Sequence, residues 1–127
     1  MSAPATATAL REQLQAGNQE WAWRMLLQGR DHLRLMLTQQ EDERLGSWEA
    51  APRSTGSSEF DALLAALAQH EFASAGLTAP DWTCRDPLSE AWIPDHPFLS
   101  PERVIAKTPA WLRQRNIFVP DRDLVSA

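Results

Sequence analysis

The stretch from Pro80 to Val119 constrains the fold more than any other part of the chain. It contains three of the six tryptophans and most of the nine prolines, and its apolar residues follow the period of neither a long helix nor a strand. Proline removes a backbone donor and interrupts helices and sheets. We therefore expect a cap of short turns, held in shape by aromatic packing, over a base made of helices.

The first long helix of this base is predicted from Gln19 to about Arg44. Asn18 is a good N-cap, and apolar residues recur along the segment at steps of three and four. Gly29 lies on this apolar stripe and favours the close approach of another helix. A shorter helix is expected to begin near Thr6 or Thr8, after a frayed N-terminus over residues 1–8.

The second long helix is predicted from Glu59 to Ala75. Ser57 or Ser58 caps its start, and Gly76 is expected in the left-handed conformation that ends a helix. The Ser-, Gly- and Pro-rich segment 46–58 before it is predicted to be a loop.

The cap is predicted to consist of short elements between prolines. Ser100 before Pro101 indicates a helix start, and Asn116 can take the left-handed position that ends a helix. The expected elements are a helical turn over 88–92, helices over 101–106 and 109–115, an extended segment over 117–119 and a tail that Leu124 fixes. Together these predictions describe one mainly α domain over residues 1–127, with two long helices and a Pro/Trp-rich cap of short helices and an extended segment over 77–127.

Composition excludes several classes of function. The net charge is −5 at pH 7, whereas a protein that binds DNA or RNA is expected to carry a basic stripe. Direct DNA binding is therefore not expected. No apolar run approaches the length of about 20 residues that spans a bilayer, and no signal peptide is recognisable at the N-terminus. A single cysteine fits a reducing compartment, so a cytoplasmic location with no membrane association is expected.

No pattern in the sequence predicts a catalytic, metal or cofactor site. Cys84, Asp86 and His96 are the only cluster of metal-ligand types, but they lack the paired short spacing of a zinc site. A cysteine nucleophile would need a positioned histidine base, and neither His32, His70 nor His96 lies in such a motif. Phosphate-binding glycine loops are also absent from the sequence. We therefore expect a protein that is not an enzyme.

Basic and aromatic residues alternate near the C-terminal end. Arg113 and Arg115 lie between Trp111 and Phe118, with Arg103 and Lys107 upstream. Arginine beside aromatic side chains is typical of protein interfaces, and it can also stack on RNA bases. A solvated face over an aromatic core is the third interpretation of the same pattern.

Five segments, in this order along the chain, resemble a known family. They are EWAWRMLLQGRDHLR, FDALLAALAQHEF, APDWT, EAWIPD and TPAWLRQRNIFVPDRDL. The family is that of actinobacterial antitoxin-like proteins encoded beside nucleotidyltransferase-like toxins, and the similarity is to the region that follows their helix-turn-helix. It covers about Glu20 to Val125, and Met1 to Gly17 is too short for a helix-turn-helix, so operator binding is not expected of this chain.

The resemblance implies a protein-protein interaction module that neutralises a partner toxin enzyme by direct binding, without catalysis or cofactor. The residues expected to contact the partner are Trp92, Pro94, Phe98, Trp111, Arg113 and Arg115. Acidic residues at Glu41, Asp42 and Glu43 could instead mimic the phosphates of a substrate in a basic toxin cleft. The alternative function is a small regulatory module that binds nucleic acid or a transcription complex through an Arg/Trp face. The sequence gives no oligomeric state.

Overall fold

The computed structural model of the protein describes residues 1–39 and 42–125, with residues 42–45 described by their backbone alone. The chain divides into two compact units, Met1–Arg85 and Asp86–Ala127, and each is described by itself. The described residues are mainly helical, with an isolated β-bridge and no strand, so the predicted fold class is confirmed.

The first unit, called unit 1 below, is built from four helices. They are followed by a short 3-10 turn at Asp81–Thr83. The helices are α1 (Ala3–Gln15), α2 (Gln19–Gln39), α3 (Asp42–Glu49) and α4 (Ser58–Ser74).

Helix α1 begins earlier than the sequence predicts, which corrects the expected frayed segment over residues 1–8. The hydroxyl of Ser2 accepts a hydrogen bond from the backbone N–H of Ala5 at 3.0 Å and caps the helix. Ala3 and Thr6 are fully buried, because α1 lies directly against α2 at Gly29. A Cβ added to Gly29 would come within 2.5 Å of the Thr6 side chain. The predicted close approach of another helix at this glycine is confirmed.

The single helix predicted over Gln19 to Arg44 is two helices in the structure. Helix α2 ends at Gln39, and α3 covers the first four residues of the predicted loop 46–58. Residues 40 and 41 lie outside the described residues. Trp48 of α3 is fully buried, and its indole Nε1–H donates to the carbonyl oxygen of Met1 at 2.8 Å. The buried ring of Trp48 therefore joins α3 to the start of α1.

Helix α4 follows its prediction closely. The Ser57 hydroxyl accepts from the N–H of Phe60 at 3.2 Å. At the other end Gly76 has a φ of 74°, and the N–H of Leu77 donates to the carbonyl of Phe72 at 2.9 Å while Gly76 N–H donates to Ala73. This pair of bonds is a Schellman motif, the helix end that glycine permits.

An ion pair joins α2 to α4. The guanidinium of Arg34 donates to both carboxylate oxygens of Glu71 at 3.1 and 2.6 Å, and the Glu71 side chain is only 7% exposed. This side-chain hydrogen bond raises the pKa of Arg34 above its ordinary, already strongly basic value. A raised pKa means that the charged form of Arg34 stabilises the fold. This contribution is fully present below the ordinary pKa of arginine and is lost only as the pH rises above it. The stability of the fold therefore gains no pH dependence near neutrality from this group.

Residues 77–85, which the sequence analysis assigns to the cap, belong to unit 1. The indole Nε1–H of Trp82 donates to the carbonyl of Trp48 at 2.9 Å, and the amide of Gln69 in α4 lies 3.6 Å from the Sγ of Cys84. These contacts hold the segment that follows Gly76 against the helices of unit 1.

The second unit, called unit 2 below, contains helix α5 (Pro101–Lys107), helix α6 (Ala110–Arg113) and a 3-10 turn at Asp121–Leu124. Ser100 caps α5, as predicted, by accepting from the N–H of Arg103 at 3.3 Å. Helix α6 is shorter than the predicted 109–115, and Asn116 follows it with a φ of 65°, as expected. Leu124 is buried and fixes the tail.

The helical turn predicted over 88–92 is wrong, because this segment bends at residues 89 and 90 and pairs at both ends with residues 115–118. Leu88 N–H donates to the carbonyl of Arg115 at 3.1 Å, and Trp92 exchanges two hydrogen bonds of 2.9 Å with Asn116 and Phe118. Trp92 and Ile117 form a parallel β-bridge. The predicted extended segment over 117–119 is therefore present, but it pairs with Trp92 instead of standing alone.

Candidate interaction surface

Phe98 is the most exposed large apolar residue that the structure describes. Its side chain is 81% exposed, whereas the large apolar residues of the core are under 9% exposed. An aromatic ring in water costs free energy that burial would recover. Phe98 lies between the Trp92 bridge and the start of α5, on a turn that carries no helix or strand. The question is whether this turn holds the ring in a defined position.

His96 fixes the backbone of that turn. Its ring Nδ1 accepts hydrogen bonds from the N–H groups of both Phe98 and Leu99, each at 3.0 Å. Because Nδ1 is an acceptor, the neutral ring carries its proton on Nε2, which donates to the Asp123 carboxylate at 3.1 Å. The His96 side chain is only 9% exposed, and its ring stands edge-on to the Phe98 ring at 6.2 Å. These contacts anchor the turn to the 3-10 turn at Asp121–Leu124.

Trp92 and Arg115 lie together at the extended pairing. The backbone of Trp92 is bonded to Asn116 and Phe118 on the segment directly after Arg115. The side-chain amide of Asn116 also donates to the carbonyl of Leu88 at 2.9 Å. Trp92 and Arg115 are both half-buried, so each has a part in the interior of the protein and a part in contact with solvent.

Helix α6 carries the remaining pair of predicted contact residues. Trp111 is half-buried, Leu112 between them is fully buried, and Arg113 is exposed. The N–H of Ile117 donates to the carbonyl of Leu112 at 3.1 Å, which ties the end of α6 to the bridged segment. Backbone hydrogen bonds thus connect the two segments that carry Trp92, Trp111, Arg113 and Arg115.

Pro94 and Phe98 are positioned differently. Pro94 is half-buried between the bridge and the Phe98 turn, and Phe98 is held through His96. All six predicted contact residues therefore belong to unit 2 and keep some exposure, but two separate sets of hydrogen bonds position them. We refer to these six residues as the cap surface.

Sequence reasoning missed His96 and Asp123 as positioning residues. Histidine next to proline in Asp95-His96-Pro97-Phe98 could have suggested a turn in which a side chain accepts nearby backbone N–H groups, as asparagine and aspartate commonly do. Asp123 gave no such signal, because its partner lies 27 residues away in sequence and only the fold brings the two together.

The other candidates for chemistry make structural contacts. Both ring nitrogens of His96 are engaged, and Nδ1 of His32 forms a hydrogen bond with the amino group of Met1. Cys84 is exposed and belongs to unit 1. Among residues 1–39 and 42–125, no three His, Cys, Asp or Glu side chains are grouped so that they could hold a metal ion. Glu41 and the side chains of Asp42 and Glu43, the proposed phosphate mimics, lie outside what the structure describes.

Comparison with known proteins adds no relative. No protein-family model matches the chain, and neither a curated protein nor a solved structure matches it. The resemblance to antitoxin-like proteins therefore stays a prediction. Within the described part of the chain, every helix is too short or too polar to cross a membrane.

Proposed function

We propose that the chain is a cytoplasmic, antitoxin-like interaction module that neutralises a partner enzyme by direct binding through the cap surface. The partner expected from the sequence resemblance is a nucleotidyltransferase-like toxin. In this proposal the chain performs no catalysis and needs no cofactor, since neutralisation requires only that it cover a surface of the toxin.

The observation that carries this proposal is the placement of Phe98. An aromatic side chain that is 81% exposed on a backbone held by His96 loses little freedom when a partner buries it. Binding residues that are fixed in advance cost less conformational entropy on association. Aromatic and arginine side chains also dominate the energetics of protein interfaces, and exposed Arg113 supplies the second type.

A regulatory module that binds nucleic acid is the second candidate, and exposed Arg113 beside half-buried Trp111 is the observation that favours it. Charge argues against it. Unit 2 contains five basic and six acidic side chains, a net charge of −1, and phosphate contacts need an excess of positive charge. Binding to single-stranded RNA that weakens steeply between 50 and 200 mM salt would support this second function.

The experiment that tests the proposal is calorimetric titration of the chain with the nucleotidyltransferase-like protein encoded by the adjacent gene. Wild-type chain should form a complex of fixed stoichiometry. Phe98→Ala should weaken binding by about 30-fold, the loss typical of an interface residue worth about 2 kcal/mol. Arg113→Gln should weaken it as well, and neither change should lower stability, because both side chains are exposed.

Leu35→Ala is the matched control. Leu35 is a large apolar residue of α2, 54% exposed, outside the cap surface, so its truncation should leave the affinity unchanged. Equal losses for Leu35→Ala and Phe98→Ala would contradict the proposed surface. The absence of a complex, or of a nucleotidyltransferase-like neighbour, would contradict the antitoxin-like function itself.

A further inference from the structure

Unit 1 contains a small open pocket that the proposed function does not use. It lies where the loop before α4 meets the 3-10 turn at Asp81–Thr83, and its volume is about 110 Å³. A cavity of about 150 Å³ admits one benzene ring, so this open pocket has room for one small group. The residues that line it include Arg53, Arg85, Asp61, Trp82, Leu64 and Pro52.

The carboxylate of the pocket is already satisfied by its own loop. Oδ1 of Asp61 accepts from the backbone N–H and the hydroxyl of Thr55, each at 2.7 Å, and Oδ2 accepts from the Ser54 hydroxyl at 2.6 Å. Asp61 also lies in the first turn of α4, where the positive end of the helix dipole offsets its charge. The charge of the Asp61 carboxylate is thus already stabilised by hydrogen bonds from the loop and by the N-terminus of α4.

The two arginine side chains of the pocket, in contrast, have no such partners within the described part of the chain. Among the described residues, the guanidinium of neither Arg53 nor Arg85 forms a hydrogen bond or an ion pair, and both residues are exposed. Two arginines therefore line one pocket whose single carboxylate is already hydrogen-bonded on both oxygens. A guanidinium presents its donors in a planar fork that matches a carboxylate or phosphate.

The remaining walls are rigid and largely apolar. The indole Nε1–H of Trp82 is bonded to the Trp48 carbonyl, which holds the ring in place, and Leu64 is buried in α4. Apolar walls lower the local dielectric and strengthen an ionic contact made beside them.

We propose that this pocket binds a small oxyanion, a carboxylate or phosphate group, between Arg53 and Arg85. A free anion and an acidic or phosphorylated side chain of another protein present the same chemistry. The pocket and the cap surface share no residue, and the test below measures anion binding without any toxin, so its outcome is independent of the proposed function.

The test is a titration of the 127-residue chain with sodium phosphate and, separately, with sodium acetate, at constant ionic strength against sodium chloride. The indole N–H resonance of Trp82, assigned with Trp82→Phe, reports occupancy by two-dimensional NMR. We expect a saturable shift with an oxyanion and none with chloride. The oxyanion that binds more tightly identifies the source, phosphate for a phosphorylated group and acetate for a carboxylate.

Variants separate a site from general charge attraction. Arg53→Gln or Arg85→Gln should weaken binding about tenfold, the low end expected for a charge-assisted hydrogen bond, and the double variant should abolish saturation. Arg24→Gln removes the same charge from an exposed arginine of α2 and should leave the affinity within about twofold. The other five indole resonances of each variant show that it is folded.

Three results would overturn the proposal. A linear, non-saturating shift would show that no site exists. Equal shifts with chloride would show no preference for an oxyanion, and saturation that survives the double substitution would place the anion elsewhere.

Discussion

Replacing Gly29 by alanine tests how closely α1 and α2 approach each other. The added Cβ would lie 2.5 Å from both Cγ2 and Oγ1 of Thr6 and 3.1 Å from its Cβ. Ordinary contacts between carbon atoms begin near 3.5 Å, so the overlap is about 1 Å. Thr6 cannot turn away without cost, because it is fully buried and its hydroxyl donates to the carbonyl of Ser2 at 2.8 Å.

The expected change in the free energy of unfolding follows from a comparison with Gly46→Ala. Gly→Ala inside a helix gains up to about 1 kcal/mol of stability from backbone entropy and helix propensity. Gly46 lies within α3, is exposed, and has open space around its Cβ position, so Gly46→Ala should show this gain alone. Gly29→Ala carries the same gain and an overpacking cost of about 1–3 kcal/mol. The difference between the two variants is therefore the overpacking cost itself.

The assay is urea unfolding followed by circular dichroism and tryptophan fluorescence. Gly46→Ala should raise the midpoint, and Gly29→Ala should lower it or leave it unchanged. In a Thr6→Ala background the two atoms at 2.5 Å are gone, so Gly29→Ala should lose most of its penalty. The expected coupling energy is about 1–3 kcal/mol. Stabilisation by Gly29→Ala equal to that by Gly46→Ala, or a penalty unaffected by Thr6→Ala, would refute the close approach.

Three further substitutions test the other contacts of unit 1 with the same unfolding assay. Arg34→Ala should lower stability by about 1–2 kcal/mol, because it leaves the buried Glu71 carboxylate without its donor; an effect below about 0.5 kcal/mol would show that water replaces the guanidinium. Trp48→Phe should cost about 1–2 kcal/mol, since it removes the hydrogen bond to Met1 from a fully buried ring; an unchanged midpoint would argue against that bond. Gly76→Ala should cost about 1 kcal/mol, because alanine disfavours a φ of 74°, and no loss would mean that the helix ends differently in solution.

Local patterns were sufficient for most helix ends. Ser57, Ser100, Gly76 and Asn116 act where the sequence predicts, since caps and left-handed positions depend on a residue and its near neighbours. The same rule explains one miss. Ser2 before Ala3 and Pro4 is also a capping pattern, and its use starts α1 at Ala3, three to five residues before the predicted start near Thr6 or Thr8.

Long-range contacts account for the rest. The segment 88–92 is not helical, because Leu88 and Trp92 find hydrogen-bond partners in Arg115, Asn116 and Phe118, and no pattern within five residues could show that. The candidate surface has the same limit. The sequence supplies its aromatic and arginine residues, but the exposure of Phe98 and its support by His96 depend on Asp123, which is distant along the chain.

The central claim is that the chain neutralises an enzyme by covering it. The most direct measurement is a titration of the activity of the proposed partner, a nucleotidyltransferase-like toxin, with increasing amounts of the chain. The proposal predicts that activity falls in proportion to added chain and ends at a fixed molar ratio, and that Phe98→Ala, which weakens binding, raises the concentration of chain needed for complete inhibition. Undiminished activity in excess chain would contradict it, and so would complete loss at a small fraction of one equivalent, because that would be catalysis and not binding.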